Sequence, residues 1–167
     1  MSLQEKAKEH WLYNSCSGPV KIIGPCAGWK DHERYPGDLI GVNWGAKLIK
    51  PNIHVSKETE MFQNYDAGCL KITGDTWTIK GVEQIQIPST WFSGVYALRI
   101  AKYLGYDEVR IFGIPADYMV PPEAGLSCVG RHSDESQKTG WEQHRDYFDN
   151  VTVFGGNLPK WFPELKD

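Results

Sequence analysis

Residues Ser93 to Tyr118 read SGVYALRIAKYLGYDEVRIFGIPADY. Ala97, Leu98, Ala101 and Leu104 recur at helical spacing and lay one apolar stripe along a helix. Ser93 stands where an N-cap belongs, and Gly105 where a left-handed residue ends the helix. Val109 to Ile114 follows as a nearly continuous apolar run, the pattern of a strand buried on both faces. A helix that feeds directly into such a strand is half of a βαβ unit, whose crossover joins parallel neighbours. The stretch therefore predicts an α/β domain with a sheet parallel at its centre.

Upstream, Val20 to Ile23 is a β-branched run that stops abruptly at Gly24-Pro25. Asp38 to Asn43 repeats the pattern through Leu39, Ile40 and Val42, and Asn52 to Val55 supplies a third strand after Pro51. A helix is expected between Lys57 and Tyr65. Cys69 to Thr73, Trp77 to Lys80 and Val82 to Ile87 alternate like strands around Gly74 and Gly81, an arrangement that suits an antiparallel hairpin. Downstream, Pro121 to Gly130 reads as a loop, Gln137 to Phe148 as a helix, and Val151 to Phe154 as a last strand closed by Gly155-Gly156.

A chain of 167 residues has the length of one domain with a substantial core. Its net charge of −3, without any long basic block, gives no electrostatic footprint for nucleic acid or an anionic membrane. A small molecule is the expected partner, and nothing specifies an oligomeric state. The 7 Trp, 8 Tyr and 6 Phe supply rings for burial or for stacking on a flat ligand. No apolar run approaches the roughly 20 residues of a membrane span, and Gln4 to His10 is too polar for a signal-peptide core, so a cytoplasmic location is expected. Cys16, Cys26, Cys69 and Cys128 form no C-x-x-C pair and read as reduced thiols. His10, His32 and His54 show no metal-ligand spacing, so no metal site is expected. Asp31-His32-Glu33 reads as a solvated turn and His144 as a surface residue.

Open α/β sheets bind ligands beyond the carboxyl ends of their strands, where small residues let backbone N–H groups approach an anion. Three ends fit: Gly24-Pro25-Cys26-Ala27-Gly28, Asn43-Trp44-Gly45, and Gly113 through Tyr118. The helix start at Ser93-Gly94 adds a partial positive dipole. The first segment is neither a G-x-G-x-x-G fingerprint nor a P-loop. It reads as a phosphate cradle or as a tight turn, and Asn43 as a base or ribose contact or as a turn former. Trp29, Trp44 and Trp91 suit either base stacking or closure of a core edge.

Ser93 to Tyr118 resembles the Ser-Gly, helix, Leu-Gly-Tyr, strand, Gly-x-Asp signature of the bacterial sialyltransferases that use CMP-sialic acid. The signature is shared by uncharacterised bacteriophage proteins and by hydroxymethylpterin pyrophosphokinase-like proteins. The order of Ile22-Ile23-Gly24-Pro25-Cys26 and Asp38 to Asn43 extends the resemblance over Val20 to Tyr118. It implies a single-domain Rossmann-like three-layer sandwich over residues 1–167, with a mainly parallel central sheet. It also implies a nucleotide site at Gly24, Pro25, Cys26, Gly28, Asn43, Ser93 and Gly94, with Asp117 as the signature's Asp. Two departures stand out: Ile22-Ile23 replace the family's Gly-Asn, and Pro115-Ala116 intervene before Asp117.

The activity so implied is nucleotide-sugar-dependent glycosyl transfer, with a donor that includes the CMP-linked class and no required cofactor. Sugar transfer with inversion needs a general base near the acceptor hydroxyl, and the family takes a His from the region after the Gly-x-Asp strand. His132, in Gly130-Arg131-His132-Ser133-Asp134, is the candidate; it also reads as a solvated loop residue. Two alternatives stay open. One is a pyrophosphokinase-like phosphoryl transferase that uses magnesium and a carboxylate such as Asp117. The other is a nucleotide-binding or structural phage domain without catalysis.

Overall fold

The computed structural model describes residues 8–88, 90, 92–114, 134–155 and 158–162. Seven strands form one sheet: β1 (Pro19–Ile23), β2 (Asp38–Val42), β3 (Ile53–Ser56), β4 (Leu70–Thr73), β5 (Glu83–Gln84), β6 (Glu108–Phe112) and β7 (Val151–Phe154). Their order is β5-β4-β3-β2-β1-β6-β7, and every neighbouring pair is parallel. The helices are α1 (Glu60–Asn64), α2 (Ser93–Leu104), α3 (Asp134–Glu142) and α4 (Leu158–Trp161), with 3-10 turns at Trp29–Arg34, Asn43–Lys47 and Arg145–Tyr147. This is an α/β Rossmann-like fold.

The strands are apolar at successive positions because both faces of the sheet are covered. Val20, Ile22, Ile40, Val42, Ile53, Val55, Ile72, Val109, Ile111, Val151 and Val153 join Val95, Leu98, Ile100 and Leu104 of α2 in one core, together with Trp141, Leu158 and Phe162. The intervening residues face the other way. There Gly41 lies against Ala46, Phe112 stacks on Phe154 with centroids 4.5 Å apart, and His54 meets Phe62 of α1. Helices α2 to α4 thus pack on one face, while α1 and the first two 3-10 turns cover the other.

The central helix ends as its sequence dictates: Gly105 has φ 101°, and its N–H bonds back into the last turn. Its start differs. Phe92 holds the extended cap position, and Ser93 Oγ accepts the backbone N–H of Lys57 at 3.3 Å. Ser93 therefore ties the helix to the end of β3 instead of capping it.

The expected hairpin is absent, since β4 and β5 pair in parallel through Ile72 with Glu83 and Thr73 with Gln84. A parallel neighbour needs a crossover, and residues 74–82 provide it. Trp77 to Lys80 is accordingly no strand: Trp77 is 72% exposed, and the Asp75 carboxylate accepts the N–H groups of Thr76 and Trp77. Val82 to Ile87 contracts to the two residues of β5. The Gln137–Phe148 helix begins earlier and divides into α3 and the Arg145–Tyr147 turn. The loop expected at residues 121–130 lies outside the described residues.

Gly41 is where the second layer presses closest on β2. A Cβ there would lie 2.6 Å from Ala46 Cα and 2.8 Å from Ala46 Cβ, too close without backbone movement. Gly41→Ala should lower stability by about 1–3 kcal/mol, a fall of roughly 2–10 °C in thermal midpoint. An unchanged midpoint by calorimetry would mean that the Asn43–Lys47 turn is not seated on β2.

Candidate site at the carboxyl edge of the sheet

Strand β1 lies between β2 and β6, and chain order reverses there, so the β1/β6 boundary is the topological switch point where open α/β sheets place ligands. The backbone is unusually close-packed at this point. Gly24 N–H donates to the Phe112 carbonyl at 2.8 Å, continuing the ladder one residue past the strand. A Cβ on Gly24 would stand 2.3 Å from the Gly113 carbonyl oxygen, and one on Gly45 2.3 Å from that of Ile23. Gly113 has φ 66°, and a Cβ there would approach the Cys26 oxygen to 2.7 Å. The three expected ends, at Gly24, Asn43 and Gly113, therefore share one edge. Main chain and the Ile114 side chain form the floor between them.

Beyond Gly24, Pro25 is half-buried and Cys26 is buried, with its carbonyl accepting Trp29 N–H at 3.3 Å. Gly28 has φ 88°, a Cβ there would make only an ordinary 3.8 Å contact with the Phe154 carbonyl oxygen, and it begins the Trp29–Arg34 turn. Across the edge, Gly94 sits against Ile114, which follows β6, and against the Trp141 ring of α3. The first turn of α2 thus reaches the same edge as the glycine loop. Ser93 stands over the end of β3, where the Lys57 ammonium donates to the Thr90 carbonyl. Burial pulls the Lys57 pKa down, opposed by Asp75 and Glu58. Asp117 and His132 lie outside the described residues.

Asn43 follows β2 with φ 49°, a left-handed conformation that Asn adopts more readily than other side-chain-bearing residues. Its Oδ1 is buried and has no hydrogen-bond partner among the described residues. The Asn43 carbonyl is 3.0 Å from His54 Nε2. His54 is fully buried on β3, with the Phe62 and Tyr65 rings beside it. Its pKa falls to about 4 because burial disfavours the charged ring; the bond to Asn43 opposes this, Lys71 adds to it, and Asp66 opposes it. Sequence reasoning considered His54 only as a metal ligand and missed this contact. The available signal was a histidine inside a β-branched strand, at a position whose alternate neighbours form the core.

Three further polar residues are more deeply placed than their local sequence suggests. His32 is no solvated turn residue: only 7% exposed, it lies beside the Trp29 and Phe112 rings, and its Nδ1 is 2.7 Å from the Trp29 carbonyl. The buried Lys21 ammonium donates to the carbonyls of His32 at 3.3 Å and Tyr35 at 2.7 Å, anchoring the end of the turn that follows the glycine loop. Burial, with Arg110 nearby, lowers the Lys21 pKa. His144 is likewise buried, not on the surface, and its Nδ1 accepts from Arg99 at 2.9 Å. Cys16 and Cys69 are free thiols. Among the described residues, no helix is long and apolar enough to cross a membrane.

No protein-family model matches the chain, and no curated protein matches it. Among solved structures it is similar to the sialyltransferase CstII from Campylobacter jejuni, in complex with the substrate analogue CMP-3FNeuAc, at 16% identity and a TM-score of 0.52. That match covers 81% of this chain and 79% of the other. A protein from Lactobacillus plantarum is similar at 17% identity and a TM-score of 0.45, over 83% of this chain and 60% of the other. The first likeness establishes a distant relationship at the level of the fold.

The low pKa of His54 gives a signed stability prediction. Between pH 6.5 and about 4 the unfolded chain takes up a proton that the folded histidine refuses. This part of the stability is fully present above pH 6.5 and is lost as pH falls through about 4. At about 1.4 kcal/mol per unit of pKa difference it amounts to about 3 kcal/mol. The thermal midpoint should therefore fall several degrees less between pH 7 and pH 4.5 in His54→Gln than in the wild-type chain. Equal falls would show that His54 titrates normally.

Proposed function

We propose that the chain is a nucleotide-sugar-dependent glycosyltransferase whose donor nucleotide lies over the carboxyl ends of β1, β2 and β6. The carrying observation is the main-chain floor at Gly24, Gly45 and Gly113, with Asn43 Oδ1 buried and unpartnered beside it. A close-packed floor of main chain and Ile114 leaves room for a flat or anionic group at the edge above it, and a buried orphan acceptor calls for a donor such as a base amine or a ribose hydroxyl. Fold-level similarity to a sialyltransferase bound to a CMP-sugar analogue supports cytidine as the first base to test.

In this reading, backbone groups of the loop beyond Gly24, through Gly28, and the first turn of α2 at Ser93 and Gly94 stabilise the departing nucleotide phosphate. Pro25 and Cys26 shape the loop, and Asp117 follows the β6 end. The acceptor hydroxyl oxygen forms a bond to the anomeric carbon as the bond from that carbon to the phosphate oxygen breaks. The nucleotide leaves with the electron pair, and His132 takes the hydroxyl proton. Water in place of the acceptor gives hydrolysis by the same steps.

Two measurements test this reading. Asn43→Gly keeps the left-handed backbone accessible while removing the carboxamide, so it should change stability little and weaken CMP binding by about 1–3 kcal/mol, or about 5- to 150-fold. Release of CMP from CMP-sialic acid should persist in EDTA and fall about 100- to 10,000-fold in His132→Ala. Loss of turnover in EDTA would favour phosphoryl transfer. Nucleotide binding without turnover of any nucleotide sugar would leave a binding domain.

A further inference from the structure

His54 is an expensive residue for its position. It is fully buried, its Nδ1 has no hydrogen-bond partner among the described residues, and the Phe62 ring of α1 and the Tyr65 ring just past that helix lie beside it. An unsatisfied buried acceptor is destabilising, and an apolar side chain packed against Phe62 and Tyr65 would avoid that cost. The ring bonds through Nε2 to the Asn43 carbonyl at 3.0 Å. A carbonyl only accepts, so Nε2 carries the proton and Nδ1 is the bare lone pair. The ring is neutral in this arrangement, in keeping with its burial.

The partner residue is the one whose backbone most needs holding. Asn43 turns the chain out of β2 with φ 49° and opens the Asn43–Lys47 turn, whose Gly45 packs on the Ile23 carbonyl. His54 reaches it from β3, the next strand in the sheet, through the pairing of Gly41 with His54.

We propose that His54 is a positioning residue: its Nε2–H clamps the Asn43 carbonyl and so fixes the left-handed backbone that presents the Asn43 carboxamide at the nucleotide site. The presentation of the carboxamide to a nucleotide rests on the donor-site reading above; the clamp itself does not. Side-chain geometry supplies a discriminating pair of variants. Gln can place an N–H donor near the position of Nε2, whereas Asn, one methylene shorter, places its amide near Nδ1.

The test combines CMP titration with NMR of His54→Gln, His54→Asn and the wild-type chain. His54→Asn should bind CMP about 2- to 10-fold more weakly, the worth of one neutral hydrogen bond, with the Asn43 backbone resonances shifted. His54→Gln should restore both the affinity and the resonances, which a merely space-filling role would not require. Nitrogen shifts of the wild-type imidazole should place the proton on Nε2, a readout that stands even if a variant fails to fold. A proton on Nδ1, or unchanged Asn43 resonances and CMP affinity in both variants, overturns the proposal. If the wild-type chain binds no CMP, the donor reading fails, and the Asn43 resonances of the variants then decide the clamp alone: shifted in Asn and restored in Gln supports it, unmoved overturns it.

Discussion

The contact on which the rest depends is the approach of main chain to main chain where β1, β2 and β6 end. Gly24 N–H on the Phe112 carbonyl, with Gly113 and Gly45 pressed against the neighbouring backbone, requires glycine at all three points. A side chain at any of them would force the strand ends apart. Holding them together fixes where Asn43 leaves β2, where the Cys26 to Gly28 loop leaves β1, and how Ile114 meets Gly94 at the start of α2. The apolar core beneath provides stability, but this seam decides the shape of the edge.

The two faces of the sheet divide the labour. The α2 face is filled with aliphatic side chains and the rings of Tyr96, Trp141 and Phe162, so it contributes burial at roughly 25 cal/mol per Å² of apolar area. The opposite face carries Lys21 and His54 among its rings, and each reaches a backbone carbonyl belonging to a turn that leads from the site. Those three bonds restrain the Trp29–Arg34 and Asn43–Lys47 turns from below. Buried polar groups used in this way cost stability while fixing loop geometry, which is the exchange expected near a ligand site.

Much of the architecture was legible because strong local signals agreed with one another. The α2 stripe, Gly105 and the apolar β6 run predicted the parallel centre, and the β-branched runs at Val20 and Leu39 placed β1 and β2 correctly. The region of residues 74–87 was misread because alternation cannot distinguish a hairpin from a crossover followed by a short edge strand. Of the candidate site, the gathering of the strand ends at Gly24, Asn43 and Gly113 on one edge was legible, because small or turn-forming residues follow those strands. His32, His54 and His144 were not, since their burial comes from elements distant in sequence: Phe112 for the first, Asn43 and Phe62 for the second, Arg99 for the third. Ser93 shows the same override, with the Lys57 amide replacing the expected cap.

The central claim is spatial: a nucleotide belongs on the glycine floor between β1, β2 and β6. A crystal structure of the chain soaked with CMP tests it most directly. The account predicts nucleotide density over Gly24, Gly45 and Gly113, with a ligand donor within hydrogen-bond distance of Asn43 Oδ1. Well-ordered CMP elsewhere on the protein, with Asn43 Oδ1 still unpartnered, would contradict it.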